Sequence, residues 1–158
     1  MHARRRILAA VVVAAAVLLT GCGAGATSTP SADGSIPDPC TLISVADTIT
    51  PILGSDPGTG SVNADQPDVS KVCLFTSGLI LQVETADRYD EAVSLILDPS
   101  TGATTQELTG VGDDGLIADY GEGINQVVAH NSDFWIGVTG VITAQQATQL
   151  AQAMLAAL

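Results

Sequence analysis

The pattern of apolar and polar positions changes its period along the chain, and each period predicts a different kind of element. Between residues 42 and 53 an apolar residue recurs every three to four positions, which predicts a helix. Ser44, with Asp47 three positions later, predicts the start of this helix, and Gly54 predicts its end. The stretch 55–70 is rich in Gly, Pro, Asp and Asn, so it is predicted to be a long loop.

Two more helices are predicted further along the chain. The first covers 88–97, is capped by Asp87 and turns its Tyr and aliphatic side chains to one side, and a loop over 100–106 follows it. The second begins after Thr143, which forms a capping box with Gln146. Its amphipathic stripe carries no charge and is expected to pack on a sheet.

Five segments have the period of two that is typical of strands. Cys73 and Phe75 share one face of the first strand, and a tight turn at Ser77–Gly78 joins it to the second. The order of helices and strands predicts an α+β fold, with an antiparallel sheet of about five strands packed by about three helices. The predicted strands are 72–76, 79–84, 115–120, 124–130 and 133–139.

The last two strands place one aromatic residue apart from the others. A two-residue turn at Asn131–Ser132 pairs His130 with Asp133. In that register Phe134 points into the core, and Trp135 lies on the opposite face of the sheet.

An apolar run of another kind opens the chain. Arg4–Arg6 precede an uninterrupted aliphatic and alanine run over 7–19, an arrangement typical of a secretory signal peptide. The next residues, Leu19-Thr20-Gly21-Cys22, resemble the maturation site of bacterial lipoproteins, in which the Cys receives a diacylglyceryl group and becomes the first residue. The resemblance implies a cleaved signal over 1–21 and lipidation at Cys22. An uncleaved anchor or an ordinary cleaved signal is the alternative, and twin-arginine export is open beside the general route.

Removal of residues 1–21 leaves a strongly acidic protein. The remaining chain has two cations, Lys71 and Arg88, and 17 Asp and Glu residues, which gives a formal charge of −15. This charge excludes nucleic acid as a partner and opposes contact with anionic lipid headgroups. A basic partner, a cation or simple solvation is compatible with it.

The mature chain divides into a tether and one domain. Residues 22–38 are Gly, Ala, Ser, Thr and Pro without periodicity, which predicts a flexible tether behind the lipid. Residues 39–158 are long enough for a single extracytoplasmic domain with its own core. Because Cys22 takes the lipid, Cys40 and Cys73 remain as a pair in an oxidising compartment, which predicts a disulfide. Two buried free thiols are the alternative.

Short motifs in this domain resemble a family of actinobacterial, mycobacterial-type secreted lipoproteins of unknown function. In that family a DPC motif precedes a helix, as Asp38-Pro39-Cys40 does here, and a later Cys precedes an aromatic strand, as in Cys73-Leu74-Phe75. The stretch Val111-Gly112-Asp113-Asp114-Gly115 is similar to the family's acidic turn. A more distant similarity is to the extracellular sensor-like domains of certain mycobacterial serine/threonine kinases. The resemblance implies an envelope location and a small α+β domain, and it transfers no catalytic residue.

Side chains suited to catalysis or metal binding are sparse. His130 is the one histidine after residue 21, and Ser132 and Asp133 beside it leave no nucleophile held opposite its ring. Neither a zinc motif nor a phosphate-binding loop occurs, so the chain is predicted to be no enzyme and to hold no cofactor or metal. A weak calcium site is the alternative at three acids, Asp113, Asp114 and Asp119.

Trp135 is the candidate contact for a ligand or partner. A solvent-facing Trp in an extracytoplasmic domain is a frequent binding anchor, whereas the alternative is that a helix covers it. The predicted function is non-enzymatic binding of an envelope protein or a small lipid-like ligand at the outer face of the cytoplasmic membrane. The alternatives are an accessory subunit or inhibitor that modulates an envelope enzyme or transporter, and a hydrolase that uses His130.

Overall fold

The computed structural model describes residues 35–158. The predicted signal peptide 1–21, the lipidation site Cys22 and most of the tether lie outside the described residues. The described part forms one seven-stranded antiparallel sheet with four α-helices and one disulfide. The α+β class is therefore confirmed, whereas the predicted counts of about five strands and three helices are wrong. Over residues 35–158, no helix has the length and apolar character needed to span a membrane.

The strands are ordered β1-β2-β3-β7-β6-β5-β4 across the sheet, and every neighbouring pair is antiparallel. The strands are β1 (Gly60–Gln66), β2 (Ser70–Phe75), β3 (Ile80–Thr85), β4 (Thr104–Glu107), β5 (Asp114–Asp119), β6 (Ile124–His130) and β7 (Phe134–Val141). The helices are α1 (Pro39–Leu42), α2 (Thr50–Leu53), α3 (Tyr89–Ile96) and α4 (Ala144–Ala157). A π-helical turn covers Val45–Ile49, and 3₁₀ turns cover Ala86–Arg88 and Pro99–Thr101.

The two edge strands, β1 and β4, occupy stretches that were predicted to be loops. Their sequences, GSVNADQ and TTQE, are mostly polar and lack an apolar alternation. Each is held by its one neighbour, with Gly60 opposite Phe75 and Thr105 opposite Ala118. An edge strand has a hydrogen-bonded partner on only one side, so polar side chains do not prevent its pairing.

One face of the sheet carries the main hydrophobic core. α4 covers this face with its uncharged stripe, as predicted, and it begins in a capping box between Thr143 and Gln146. The strands contribute the aliphatic residues that alternate inwards on β3, β6 and β7. Fully buried members of this core include Leu81, Val83, Val127, Ile136, Val138, Ala147, Leu150, Ala151 and Met154.

The segment before β1 is fixed to the same core. The backbone N–H of Asp47 donates to Ser44 Oγ at 3.1 Å, and Gly54 ends α2 with a φ of 75°, both as predicted. The single predicted helix is divided, because Ile43 is extended and Pro51, which has no N–H, falls in the first turn of α2. The result is a chain of short helical turns over this part of the sheet.

The disulfide joins α1 to β2. Cys40 and Cys73 are bonded with Cα atoms 5.1 Å apart, which confirms the predicted pairing. The packed chain also begins earlier than the predicted domain start at 39, since Ile36 is 1% exposed and its carbonyl accepts a hydrogen bond from Lys71 Nζ. One of the two cations outside residues 1–21 is thereby engaged at the start of the domain.

The turn between β6 and β7 is longer than predicted. Asn131 N donates to Phe134 O at 2.9 Å, and Asn131 Oδ1 accepts from the N–H groups of Asp133 and Phe134. His130 consequently pairs with Trp135 and not with Asp133. The shift of two residues keeps every side chain on its predicted face, so Trp135 lies opposite the core face.

α3 lies across this second face of the sheet. The 3₁₀ turn Ala86–Arg88 precedes it with Thr85 at the N-cap, so the prediction that Asp87 caps the helix is wrong. Tyr89 and Ile96 are buried, with the neighbouring helix side chains partly buried against the same cluster. α3 has only eight residues, so much of the second face remains open beside it.

Candidate functional site

Trp135 lies beneath α3, and 4% of its surface is exposed. It is therefore not a solvent-facing anchor, and the alternative that a helix covers it is confirmed. The indole belongs to a second apolar cluster on this face, whose other buried members are Tyr89, Ile96, Leu116, Ala118 and Val128.

A cleft of about 270 Å³ opens beside Trp135, between α3 and the sheet. Its polar floor follows from strand alternation, because Gln82 and Glu84 alternate on β3 with the buried Leu81 and Val83. The helix side contributes Arg88, Glu91, Ala92, Leu95 and Ile96, and the sheet side contributes Gln82, Glu84, Tyr120, Gln126 and Trp135.

Several polar side chains of the cleft are paired with one another. Gln82 Nε2 donates to Glu84 Oε1 at 2.7 Å, and the Tyr120 hydroxyl donates to Gln126 Oε1 at 2.7 Å. Such pairs orient the side chains and still leave amide and carboxylate positions free for further hydrogen bonds.

Two hydrogen-bond donors of the cleft are unsatisfied. Trp135 Nε1 and Arg88 Nε are buried atoms, and neither has a hydrogen-bond partner within the described part of the chain. A buried donor without an acceptor costs roughly 1–3 kcal/mol, so folded proteins keep few of them. Both residues line the same cleft, and each donor atom exposes less than 1 Å², so an acceptor bound in the cleft reaches these donors through a rotation of the indole or the guanidinium.

A second hollow of about 240 Å³ continues from the cleft towards β1. Glu84 and Arg88 line both spaces, so the two lie side by side on the second face, and we call them together the α3 groove. The remaining lining of the second hollow comes from Asn63, Asp65, Gln66, Val69, Ser70 and Val72.

The α3 groove is acidic, since among the described residues Asp65, Glu84 and Glu91 line it together with a single cation, Arg88. Arg88 Nη2 lies 2.9 Å from Glu91 Oε2, and Glu84 adds a second carboxylate to the main cleft. Arg88 and Glu91 are largely exposed, so their ion pair contributes little to stability, ~0–1 kcal/mol. Burial raises the pKa of the Tyr120 hydroxyl, which keeps it a neutral hydrogen-bonding group near neutral pH.

His130 packs against α3 away from the groove. Its ring centroid lies 4.2 Å from that of Tyr89, and its Nδ1 is 3.1 Å from Asn131 O. Within residues 35–158, no hydrogen bond joins its ring to Ser132 or Asp133. The geometry gives no support to a Ser-His-Asp device at this turn.

The three acids of the calcium alternative do not converge. Asp114 and Asp119 lie at opposite ends of β5, and each accepts a hydrogen bond from a neighbouring backbone N–H, of Gly115 and Gly121 respectively. A strand of this length separates its ends by roughly 16 Å, so these carboxylates do not share an ion. Among residues 35–158, no three His, Cys, Asp or Glu side chains are grouped as a metal site would need.

Of the residues that line the cleft, Trp135 is the one predicted from the sequence as a binding contact. The sequence predicts Gln82, Glu84 and Gln126 as strand positions and Arg88 as the start of a helix, and these assignments do not indicate a binding site. A signal for the cleft is that β3 presents polar residues opposite its core face, where the covering helix α3 is short.

The chain matches no family model, no curated protein and no solved structure.

Proposed function

We propose that the protein is a lipid-anchored, non-enzymatic binding protein of the cell envelope, and that its ligand binds in the α3 groove. The observation that carries the site is that Trp135 and Arg88 line one cleft and that each has a buried donor, Nε1 and Nε respectively, without a partner among the described residues. The resemblance of residues 19–22 to a lipoprotein maturation site supports placement at the outer face of the cytoplasmic membrane, through lipid on Cys22.

The hydroxyl of the main cleft is placed for binding and not for nucleophilic catalysis. A nucleophile or a general base needs a group whose pKa is matched to neutral pH. The hydroxyl in the main cleft is that of Tyr120, and burial moves its pKa upwards, away from neutrality. This hydroxyl already donates to Gln126, so it is placed as a hydrogen-bonding group and not as an activated nucleophile.

The site can be tested through Trp135, which is the one tryptophan of the chain. Its emission therefore reports the groove without background from other indoles. We expect at least one chromatographic fraction of a low-molecular-weight bacterial envelope extract to shift the emission of the full-length protein in a zwitterionic detergent.

A pair of variants decides whether such a shift comes from the groove. Ala92→Leu narrows the main cleft and is expected to abolish the shift, whereas Ser94→Leu, on an exposed part of α3 outside the lining, is expected to keep it. The proposal fails if no fraction shifts the emission, or if Ala92→Leu responds as the unmodified protein does.

The anchor is tested separately. Replacing Cys22 with Ser removes the sulfur that would carry the lipid, so the protein is expected to move from the membrane fraction to soluble or unprocessed material. Unchanged extraction with membranes would contradict a lipid anchor at this residue.

A further inference from the structure

We infer that the ligand of the α3 groove is a neutral, hydroxyl-rich molecule of the sugar and polyol class. This inference rests on the proposed function, since it names the ligand of the same site.

A mixture of hydrogen-bond donors and acceptors lines the cleft. The Trp135 indole and the Arg88 guanidinium donate only, whereas the Glu84 carboxylate accepts only. A hydroxyl both donates and accepts, so adjacent hydroxyls on one ligand satisfy both sets together. A carboxylate or an ammonium group would satisfy one set and leave the other unpaired.

The charge of the main cleft also favours a neutral ligand. The main cleft holds Arg88 against Glu84 and Glu91, and Arg88 is already paired with Glu91 at 2.9 Å. An anion entering the cleft meets this acidic excess and the field of a domain with many more acids than bases. A cation is attracted by that field, but its N–H donors leave Trp135 Nε1 and Arg88 Nε unsatisfied. A neutral ligand avoids both the repulsion that an anion meets and the unsatisfied donors that a cation leaves.

The shape of the main cleft favours a compact ring. Its floor is formed by side chains of the interior strands β3, β6 and β7, so an extended peptide finds no free strand edge there, and the edge strand β1 lines only the second hollow. Ala92, Leu95 and Ile96 give the main cleft an apolar wall, against which the C–H face of a sugar ring can pack. At about 270 Å³ the cleft is suited to one ring, and the second hollow of about 240 Å³ leaves room for a linked unit.

The test is a titration of the full-length protein, in a zwitterionic detergent without sugar headgroups, followed by Trp135 emission. The probes are neutral hexoses and pentoses, their disaccharides, and the matched charged analogues glucuronate and glucosamine. We expect at least one neutral sugar to give a saturable shift, and its uronate or amino analogue to bind at least tenfold more weakly.

Variants test whether the shift in Trp135 emission depends on the polar side chains of the cleft. Arg88→Lys keeps the charge but removes Nε, and Gln126→Ala removes the partner of Tyr120; each is expected to weaken binding about tenfold, with folding checked by near-ultraviolet circular dichroism. Glu122→Gln, in the exposed β5–β6 turn, is the matched control and is expected to bind as the unmodified protein does.

Two results would overturn the inference in distinguishable ways. If envelope fractions shift Trp135 emission but the active component is a fatty acid, a peptide or a charged metabolite, the groove is a binding site and the ligand class is wrong. If neither the fractions nor any sugar shifts the emission, the proposed function fails together with the inference.

Discussion

The indole of Trp135 lies against the bare backbone of Gly137, since a Cβ on residue 137 would stand 3.2 Å from Cζ3 of Trp135. The two residues are two positions apart on β7 and therefore share one face of the sheet. The absence of a side chain at 137 gives the indole the space in which it lies, at the edge of the α3 groove. Gly137 is thus part of what positions the proposed binding site.

Filling this space should move the indole. Gly137→Ala forces a displacement of a few tenths of an ångström, and Gly137→Leu overpacks the site at a cost of about 1–3 kcal/mol in unfolding free energy. Both changes are expected to alter the near-ultraviolet circular dichroism and emission of Trp135. Gly140→Ala is the control on the same strand, because its Cβ would meet nothing closer than 3.5 Å. Equal spectra for Gly137→Ala and the unmodified protein would mean that the indole does not depend on this glycine.

Gln146 joins two helices that are far apart in sequence. Its Oε1 accepts from Thr143 N at 2.9 Å, and its Nε2 donates to the carbonyls of Ile52 and Leu53 at 3.2 and 3.1 Å. Gln146→Ala is therefore expected to lower the unfolding free energy by about 1–2 kcal/mol, measured by urea denaturation.

A second substitution distinguishes the hydrogen bonds from the Gln146 side-chain amide to α2 from the role of Gln146 in the capping box. Gln146→Glu keeps the acceptor of the capping box but places a carboxylate beside two carbonyls, so it is expected to destabilise the fold as well. Gln149→Ala, on the exposed side of α4, is the control and is expected to be neutral or slightly stabilising. A Gln146→Glu variant as stable as the unmodified protein would show that the contact with α2 contributes nothing.

Gly60 makes room for the disulfide. A Cβ at this position would lie 2.8 Å from Cys73 Sγ, 3.0 Å from Phe75 Cε1 and 3.2 Å from Cys40 Sγ. Gly60→Ala is expected to cost about 1–3 kcal/mol through overpacking. Removing both cysteines as Cys40→Ala and Cys73→Ala is expected to cost about 3–4 kcal/mol by the chain-entropy model.

The two effects should be coupled, because without the sulfur atoms the added methyl group loses two of its three close contacts and keeps only the one with Phe75. The cost of Gly60→Ala, measured by urea denaturation, is therefore expected to shrink in the cysteine-free background. If the two costs in unfolding free energy simply add, the contact between a side chain at residue 60 and the disulfide sulfur atoms is not the cause of the Gly60→Ala effect.

Tyr89 is expected to make the free energy of unfolding depend on pH in the alkaline range. Burial, assisted by the charges of Asp114 and Asp90, raises the pKa of Tyr89 from 10.0 to about 12. In the unfolded chain the hydroxyl ionises near its ordinary pKa while the folded protein holds it neutral, so this contribution is complete below pH 10 and is lost as pH rises towards 12.

Tyr89→Phe removes this contribution and keeps the ring on His130. Its unfolding free energy is therefore expected to fall less steeply than that of the unmodified protein in urea denaturation between pH 9.5 and 11.5. Tyr120→Phe, which removes the other tyrosine, provides the comparison. Parallel curves for Tyr89→Phe and the unmodified protein would contradict the raised pKa.

Features fixed by local chemistry could be predicted from the sequence. The capping box at Thr143, the glycine end of α2 at Gly54 and the alternation of β3 each depend on a few adjacent residues. The disulfide followed from the cysteine inventory once Cys22 was set aside. These features needed no knowledge of distant partners.

Features fixed by distant partners were missed. β1 and β4 are strands because β2 and β5 pair with them, and their own polar sequences do not indicate it. One local feature was missed as well, because the side chain of Asn131 accepts two backbone N–H groups and lengthens the turn, so that His130 pairs with Trp135. The groove could not be predicted from the sequence either. Whether a donor such as Trp135 Nε1 has a hydrogen-bond partner depends on the residues that surround it in the folded protein.

The central claim is that a ligand in the α3 groove accepts a hydrogen bond from Trp135. Because the chain has one tryptophan, the ¹H–¹⁵N correlation spectrum of the full-length protein in detergent should contain one indole N–H resonance. On titration with a neutral sugar that shifts the emission, we predict a saturable downfield shift of this resonance, together with that of Arg88 Nε. A ligand that binds and moves backbone resonances elsewhere, while the indole resonance stays at its free position, would contradict the account.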